Sequence, residues 1–479
     1  MRPIGVQLIN PLEITKKIDK RILLLMIIFP VLAVLGSTLA IFSDSPFLII
    51  PFLGILTFIS FAKFDYALYI LLAFLPFSFR FIMLSGTEMQ IPTEPLLAVM
   101  TLTLFSRWII MGRNGIKRKF PFRYPLLLYS ASLCLSLFNA EYRYAAAKGI
   151  IRALAYMMLS LIVFNVITNR ERLKRLFIVS IIPATVAVGW TLIFLIDRIS
   201  LWRWSSAYEG LPFTSYAHYG SFVAVILLIL SSRAIFDKKY DRVRWMTLLI
   251  FYIIAICFCF SRGVWLSVVI AMGFMLMQRS ENISNKRVLI IGGATVFFVI
   301  LMAIPHISDL ILSRISTIVS FRYGTNRERL IRWGTAIAMF LDHPLFGSGY
   351  GSFAFSYIND PAILGGTSRY QMGAHNEYLQ ILAEAGILGF LAWMYLIIAF
   401  FRYGVGLLKN LAGYNELSPV YKNLPFWRSL VIGVMAAEMS LLIHFLVNNL
   451  IQADIVGIPF WLLIGILPAI GKIIEDENK

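Results

Sequence analysis

Along most of the chain, apolar residues run in unbroken stretches of about 20 instead of alternating with polar ones at a strand period. At a rise of about 1.5 Å per residue, one such stretch crosses a hydrocarbon core of about 30 Å. Polar breaks divide the chain into stretches at 22–42, 46–62, 66–84, 92–112, 124–139, 150–168, 176–196, 219–235, 245–260, 264–278, 288–306, 386–402, 429–447 and 453–471. The pattern predicts an all-α polytopic membrane protein, a single integral membrane domain over 1–479 with about 14 transmembrane helices. The first run, from Ile22, follows a polar leader with no small-residue cleavage pattern, so it is read as a span and not as a signal peptide.

Two connections depart from the pattern of short loops. The longer one covers 307–385, and a loop of that size inside a compact fold usually carries function. Leu330, Trp333, Ile337 and Leu341 recur in it at helical spacing before Pro344, which predicts amphipathic helices lying over the outer mouth of the bundle. The shorter loop covers 197–218.

Composition agrees with the hydropathy pattern. Hydrophobic residues make up 59% of the chain and charged ones 14%, with a mean hydropathy of +0.79, which excludes an ordinary soluble domain. The net charge of +18, from 43 Lys+Arg against 25 Asp+Glu, would in a soluble chain suggest a nucleic-acid partner. Sorted by alternate connections, however, roughly 30 of the 43 basic residues fall on the side that carries both termini. That asymmetry predicts cytoplasmic termini, puts the 307–385 and 197–218 loops outside, and leaves membrane lipids as the surroundings and no nucleic acid as a partner. Cys134, Cys257 and Cys259 lie in apolar runs, and no Cys/His spacing reads as a metal site, so neither metal nor cofactor is expected.

The outer basic residues are concentrated. Arg314, Arg322, Arg327, Arg329, Arg332 and Arg369 stand in the long loop, Arg198 and Arg203 in the shorter one, and Arg262 where two spans meet. None of these is Lys. Guanidinium binds phosphate oxygens through a planar fork and stays charged, so an outward set made of Arg alone points to a phosphate-bearing ligand. Contact with lipid headgroups is the competing explanation for any one of them. Arg262, in Cys259-Phe260-Ser261-Arg262-Gly263-Val264-Trp265, has apolar sequence on both sides, and a charge at membrane depth usually faces a polar cavity.

One of the five histidines has a context suited to acid-base work. In Gly373-Ala374-His375-Asn376-Glu377-Tyr378-Leu379, a polar loop runs into an apolar helix, and His375 stands just before that helix's N-terminus. The dipole there disfavours imidazolium and keeps the ring able to accept a proton. His343 before Pro344 reads as a helix stop, and His444 with Glu438 as a buried polar contact; His218 is open. Gly347-Ser348-Gly349-Tyr350-Gly351 offers backbone N–H groups to an anion but lacks the ending of a P-loop, so tight turning is its default explanation.

These pieces together resemble a known family. Ser261-Arg262-Gly263-Val264-Trp265, Arg329-Leu330-Ile331-Arg332-Trp333, the run from His343 to Phe353, His375-Asn376-Glu377-Tyr378-Leu379 and Glu384-Ala385-Gly386-Ile387-Leu388-Gly389 match the O-antigen ligase and O-antigen polymerase superfamily in order and spacing. The resemblance implies a GT-C type glycosyltransferase of the bacterial inner membrane, metal-independent and inverting. It implies an undecaprenyl-pyrophosphate-linked glycan as donor, moved on the periplasmic face to a sugar of the lipid A core or to a growing glycan repeat. It makes His375 the base, and Arg262 and Arg329 contacts to the pyrophosphate, with Arg332 in the same Arg-rich segment. Where the family has an Arg in the shorter loop, this chain has Ala207, and Arg203 is the nearby substitute. Tyr216 and His218 stand where a Pro-Asn-like segment is expected, and with Asn376 and Gly349 are candidates for positioning the acceptor or the loop. The span count leans toward a polymerase, whereas the His375 motif and the long loop lean toward a ligase, which is the preferred reading. A transporter of anionic solutes is the distant alternative, and the absence of an internal repeat argues against it.

Overall fold

The computed structural model describes residues 63–82, 88–111, 119–200, 215–237, 242–259, 261–278, 324–359 and 373–479, with the single positions 59 and 213. The expected spans 22–42 and 288–306, nearly all of 46–62, and Arg203, Arg314, Arg322 and Arg369 lie outside the described residues. The elements are α1 (Phe64–Phe74), β1 (Phe79–Ile82), β2 (Glu88–Ile91), α2 (Thr93–Met111), α3 (Arg123–Ser136), α4 (Arg143–Val166), α5 (Arg170–Ser200), α6 (Tyr216–Phe236) and α7 (Arg242–Cys257). They continue with α8 (Arg262–Met277), α9 (Gly324–Asp342), α10 (Phe353–Asn359), α11 (Glu377–Ala412), α12 (Leu424–His444) and α13 (Asp454–Glu477).

The architecture is that of an α-helical membrane protein. Among the described residues, six helices are long and apolar enough to cross a membrane: Arg143–Val166, Arg170–Phe194, Tyr216–Phe236, Glu377–Ala412, Tyr421–His444 and Asp454–Glu477. Helix α6 is the centre of the bundle. It is apolar all round, as a helix surrounded by other helices must be, and its most apolar window is 94% buried. Helices α7, α8, α12 and α13 pack around it, α13 lies on α4, and α11 lies on α3 and α9. Helix α5, with 28% of its window buried, is peripheral.

Two expectations change. The stretch 66–84 is a short helix that stops at Leu75-Pro76-Phe77 and gives way to an antiparallel ribbon, in which Phe79 pairs with Ile91 and Ile82 with Glu88. Phe79-Arg80-Phe81-Ile82 has strand alternation, which a count of apolar residues over 20 positions averages away. The stretch 124–139 is the 14-residue helix α3 and one 310 turn, Leu137–Asn139. At 1.5 Å per residue α3 is about 21 Å long, short of a perpendicular crossing.

Helix α9 has the helical stripe that its spacing predicts. Leu330, Ile337 and Leu341 are exposed, Trp333 is half-buried, and the buried stripe is Arg332, Thr335, Ala336 and Met339. An apolar stripe next to lipid need not turn inward, so the residues packed on the bundle are the polar and small ones.

Helix α11 begins at Glu377 and breaks at Gly386, whose φ is +65°. In an unbroken helix, the N–H groups of Ile387 and Leu388 would bond the carbonyls of Ala383 and Glu384. Here they donate instead to the carbonyls of Pro344 (2.9 Å) and Leu345 (3.4 Å), while Ser348 and Gly349 N–H donate to Ala383 and Glu384 (both 3.0 Å). The turn after α9 is therefore inserted into the helix ladder, and every backbone group it displaces finds a new partner. A side chain at Gly386 would meet the backbone of Leu345, so only glycine permits the insertion.

Candidate active site

The N-terminal ends of α6, α8, α11 and α13 and the C-terminal end of α12 share one end of the bundle. Ser221 of α6 bonds His444 of α12, Gly263 of α8 lies against His444, and Glu377 of α11 bonds the segment that leads into α13. Four helix N-termini meet there, each contributing a positive dipole end, and Glu377 and Asp454 stand in the first turns of two of them.

His375 stands at this end, two residues before α11. Asn376 is the N-cap: its side-chain oxygen accepts from Leu379 N–H at 3.1 Å. Capping requires an extended backbone at Asn376, and the chain enters it through His375 at φ +52°, the one left-handed non-glycine residue among those described. Such a conformation costs on the order of 1–3 kcal/mol and persists where surrounding contacts hold it. Those contacts are present. His375 N–H donates to Asn449 Oδ1 (3.0 Å), Ala374 N–H to Gln380 Oε1 (3.0 Å), and Arg332 Nη1 to the Gly373 carbonyl (3.2 Å). The buried Glu377 carboxylate accepts from Leu450 N–H (2.8 Å) and Ile451 N–H (3.2 Å), and Glu377 N–H donates to the Phe445 carbonyl (2.9 Å).

The His375 ring is half-buried. Burial first, then the positive charges of Arg332 and Arg329, push its pKa down to about 4, and a side-chain hydrogen bond with Asn448 pulls the other way. The imidazole is therefore neutral near pH 7, in the form able to accept a proton. Arg329 and Arg332 are one turn apart on α9, and both act on His375. Arg332 is fully buried and stacks over Tyr357, with 5.0 Å between guanidinium and ring centre. The half-buried Arg329 also acts on His444.

Arg262 is the first residue of α8, with Ser261 as its N-cap, and it is exposed. The residue after it, Gly263, packs on His444 and Val447, which places the start of α8 beside the segment carrying Asn448 and Asn449. His218 is on the first turn of α6, close enough to His444 to act on it electrostatically, and Tyr216 begins the same helix, exposed. Gly349 is farther into the fold. Its N–H goes to the Glu384 carbonyl, and a side chain there would come within 2.6 Å of Ala140 Cβ. The glycine run is also occupied around it: Tyr350 N–H donates to Ser136 Oγ (3.2 Å) and Phe353 N–H to Glu384 Oε1 (3.0 Å). Gly349 holds the turn to the bundle and does not offer its N–H to an anion.

Several polar residues here escaped the sequence reading. Glu377, Gln380 and Glu384 fall at i, i+3 and i+7, one buried face of α11, and that spacing was a readable signal inside an apolar run. Asn448 and Asn449 carried none, because their significance is set by which segments meet them. A neighbouring cluster surrounds the start of α13, where Asp454 accepts from Thr93 Oγ1 and Tyr156 OH. Arg152 pairs with Glu94 at 2.5 Å beside it. His444, expected to meet Glu438, bonds Ser221 and Asn448 instead.

Residues 247–394 match the O-antigen ligase family. This segment contains Arg262, Arg329, Arg332, Gly349, His375 and Asn376. Over 205 residues, 40% of the chain, the sequence is 27% identical to an O-antigen ligase of Salmonella typhimurium, covering 48% of that protein. Over 166 residues, 32% of the chain, it is 26% identical to an uncharacterized protein of Haemophilus influenzae, covering 41% of it. The chain thus spans about half the length of the curated relatives it matches, or less. The likeness to O-antigen ligases thus lies in the part of the chain that carries these residues.

Proposed function

We propose, from the match of residues 247–394 to the O-antigen ligase family, that this protein transfers a glycan from a polyprenyl pyrophosphate, undecaprenyl pyrophosphate in bacteria, to a sugar hydroxyl on the periplasmic face of the inner membrane. The lipid A core is the favoured acceptor, in line with the ligase name of the Salmonella relative. The observation that carries the reading is His375, a neutral imidazole on a left-handed backbone, flanked by Arg329 and Arg332.

In this mechanism His375 takes the proton of the acceptor hydroxyl as its oxygen forms a bond to the anomeric carbon. The bond from that carbon to the pyrophosphate oxygen breaks, and polyprenyl pyrophosphate leaves with the electron pair. Arg262 and Arg329 oppose the charge that builds on the phosphates, beside the positive dipole ends of the four helix N-termini. A single displacement inverts the anomeric centre. Arg332, buried and bonded to the Gly373 carbonyl, holds the turn and adds its charge from behind. Tyr216 and His218 border the same end and are assigned to acceptor positioning, Asn376 to the capped turn, and Arg203 to the pyrophosphate.

The test is a surface-glycan gel in strains lacking either the native ligase or the native polymerase. Restored lipid A-linked ladders in the first strain are expected. Conversion of single repeats to long chains in the second strain, without the first result, would make the protein a polymerase of the same superfamily. Uptake of an anion into liposomes, with neither glycan result, would overturn the enzyme reading.

A further inference from the structure

The start of α13 carries a cluster of buried polar side chains for which the reaction as described has no use. Asp454, fully buried, accepts from Thr93 Oγ1 at one carboxyl oxygen and from Tyr156 OH at the other, and its backbone N–H donates to Gln90 Oε1 (3.0 Å). Thr93, at the head of α2, is bonded in turn to Ser78 Oγ (2.6 Å). Arg152, one turn before Tyr156 on α4, donates to the Gln452 carbonyl (3.4 Å) and pairs with Glu94. All of these residues lie outside 247–394, the segment that carries Arg262, Arg329 and His375.

The segment 445–454 joins this cluster to the base. Toward α11, Glu377 N–H donates to the Phe445 carbonyl (2.9 Å), and Leu450 and Ile451 N–H donate to Glu377 Oε2 (2.8 and 3.2 Å). Asn449 Oδ1 accepts the N–H of His375 itself (3.0 Å). Toward α2 and α4, the same segment is held at Gln452 and Asp454. Little slack separates the two sets of bonds, because Leu450 and Ile451 are buried and Ala453 N–H closes a turn on the Leu450 carbonyl (3.0 Å). Gly457 lets α13 close over that turn, since a side chain there would meet the Ile451 carbonyl and the Tyr156 ring.

His375 stands at the end of this tie. Its backbone, at φ +52°, is in a conformation that surrounding contacts must hold, and the Asn449 amide is one of them. A displaced Asp454 moves the segment, and Asn449 with it. The left-handed turn then relaxes and the imidazole leaves its place. A misplacement of about 1 Å can cost roughly 10²-fold in rate, so two hydroxyl groups on α2 and α4 have leverage on a base carried by α11.

We infer that Thr93, Tyr156 and Asp454 are positioning residues: through the 445–454 segment they fix the left-handed turn that presents His375 to the acceptor. The catalytic consequence rests on His375 being the base, whereas the mechanical link to its backbone does not.

The experiment uses the full chain in nanodiscs, labelled with 13C and 15N at histidine, with the His375 signals assigned by their loss in His375→Ala. A left-handed backbone has its own Cα and Cβ shifts, so the unsubstituted protein should give one His375 pair displaced from the extended range. Tyr156→Phe and Thr93→Val, which each delete a hydroxyl and keep the side-chain shape, should shift or split that pair, and Asp454→Leu should do so most. Asp454→Asn, which can still bond both hydroxyls, should retain most of it. Arg233→Gln, at the opposite end of the bundle, should leave the pair in place, which separates the tie from a general loss of stability. In transfer assays Asp454→Leu should lower kcat roughly 10-fold to 100-fold and Tyr156→Phe roughly threefold to 10-fold, with donor KM within about twofold. Tyr156→Phe should add nothing further in the Asp454→Leu background, because both act through one bond. An unmoved His375 pair in both Tyr156→Phe and Thr93→Val, or a moved pair with unchanged kcat in both, would overturn the inference whether or not Asp454→Leu folds. A moved pair in a protein whose His375→Ala variant still transfers glycan would keep the link to the backbone and remove the base.

Discussion

The two ends of the helix bundle are built from the same residue types and use them in opposite ways. At the end where α8 and α13 finish and α12 begins, cations neutralise helix termini. Arg428 Nη2 donates to the Gln278 carbonyl at the end of α8 (2.8 Å), and Arg233, on the last turn of α6, pairs with Asp237 (2.7 Å) and donates to Ser429 Oγ (2.9 Å). Arg170 and Arg233 both stack on Phe426, at 4.3 and 4.4 Å. A positive side chain at a negative helix end is electrostatically matched, and each of these arginines has a partner that holds it in place. At the other end the helices present their positive N-termini, arginines stand beside them with like sign, and the buried Glu377 and Glu384 are bonded to backbone N–H groups instead of to the cations. Like sign in side chains and helix ends is the arrangement that suits an anion electrostatically.

The sharpest way to test this contrast is to remove the base. His375→Ala should reduce glycan transfer by about 10²–10⁴-fold while the protein inserts and folds normally, read by a surface-glycan gel and by purified-enzyme turnover. Arg262→Ala should follow, at roughly 10²–10³-fold in kcat, because it takes one fixed charge from the leaving group. Retained activity in either variant would break the contrast at the site end.

A structural change at the site end gives the next largest effect. Gly386→Ala forces a side chain onto a residue at φ +65° and against the Leu345 backbone, so it should lower stability by about 1–3 kcal/mol in thermal unfolding and loosen the turn from the helix.

Electrostatics provides a finer test. Arg329→Gln removes a cation that holds the His375 pKa down, so the acid limb of kcat/KM should move up from near pH 4 toward 6.5. The same shift fixes the stability linkage. The folded pKa lies below the ordinary 6.5, so the contribution of His375 to stability is complete above about pH 6.5 and declines as pH falls through about 4. At the opposite end, Arg233→Gln should cost stability by breaking a buried pair yet leave kcat and its pH profile unchanged, and a change in kcat would merge the two ends into one functional unit.

Much of this was readable in the chain. Long apolar runs located most of the helices, and a polar loop running into one of them located His375 before an N-terminus. Arg329, Arg332 and His375 were named apart, and the structure brings them together. The ribbon at Phe79–Ile82 and Glu88–Ile91 was missed because strand and helix share the same apolar residues there. Which face of α9 meets the bundle was not readable, because lipid and protein interior are equally apolar and hydropathy does not say which of them a leucine meets. His444 looked like a partner for Glu438 on its own helix, when its partners come from α6 and from the segment after α12.

Sequence alone marked this chain as a membrane protein, placed most of the described helices, and singled out Arg262, Arg329 and His375 as candidates for the chemistry, because hydrophobic length and residue type are local properties. Only the tertiary structure decided that Gly349 serves packing, that Arg332 braces the turn, that Gly386 lets a loop enter a helix, and that Ser221 and Asn448 both bond His444. Hydrogen bonds join groups by distance in space, and a sequence separation of 223 between Ser221 and His444 does not announce a distance of 2.7 Å.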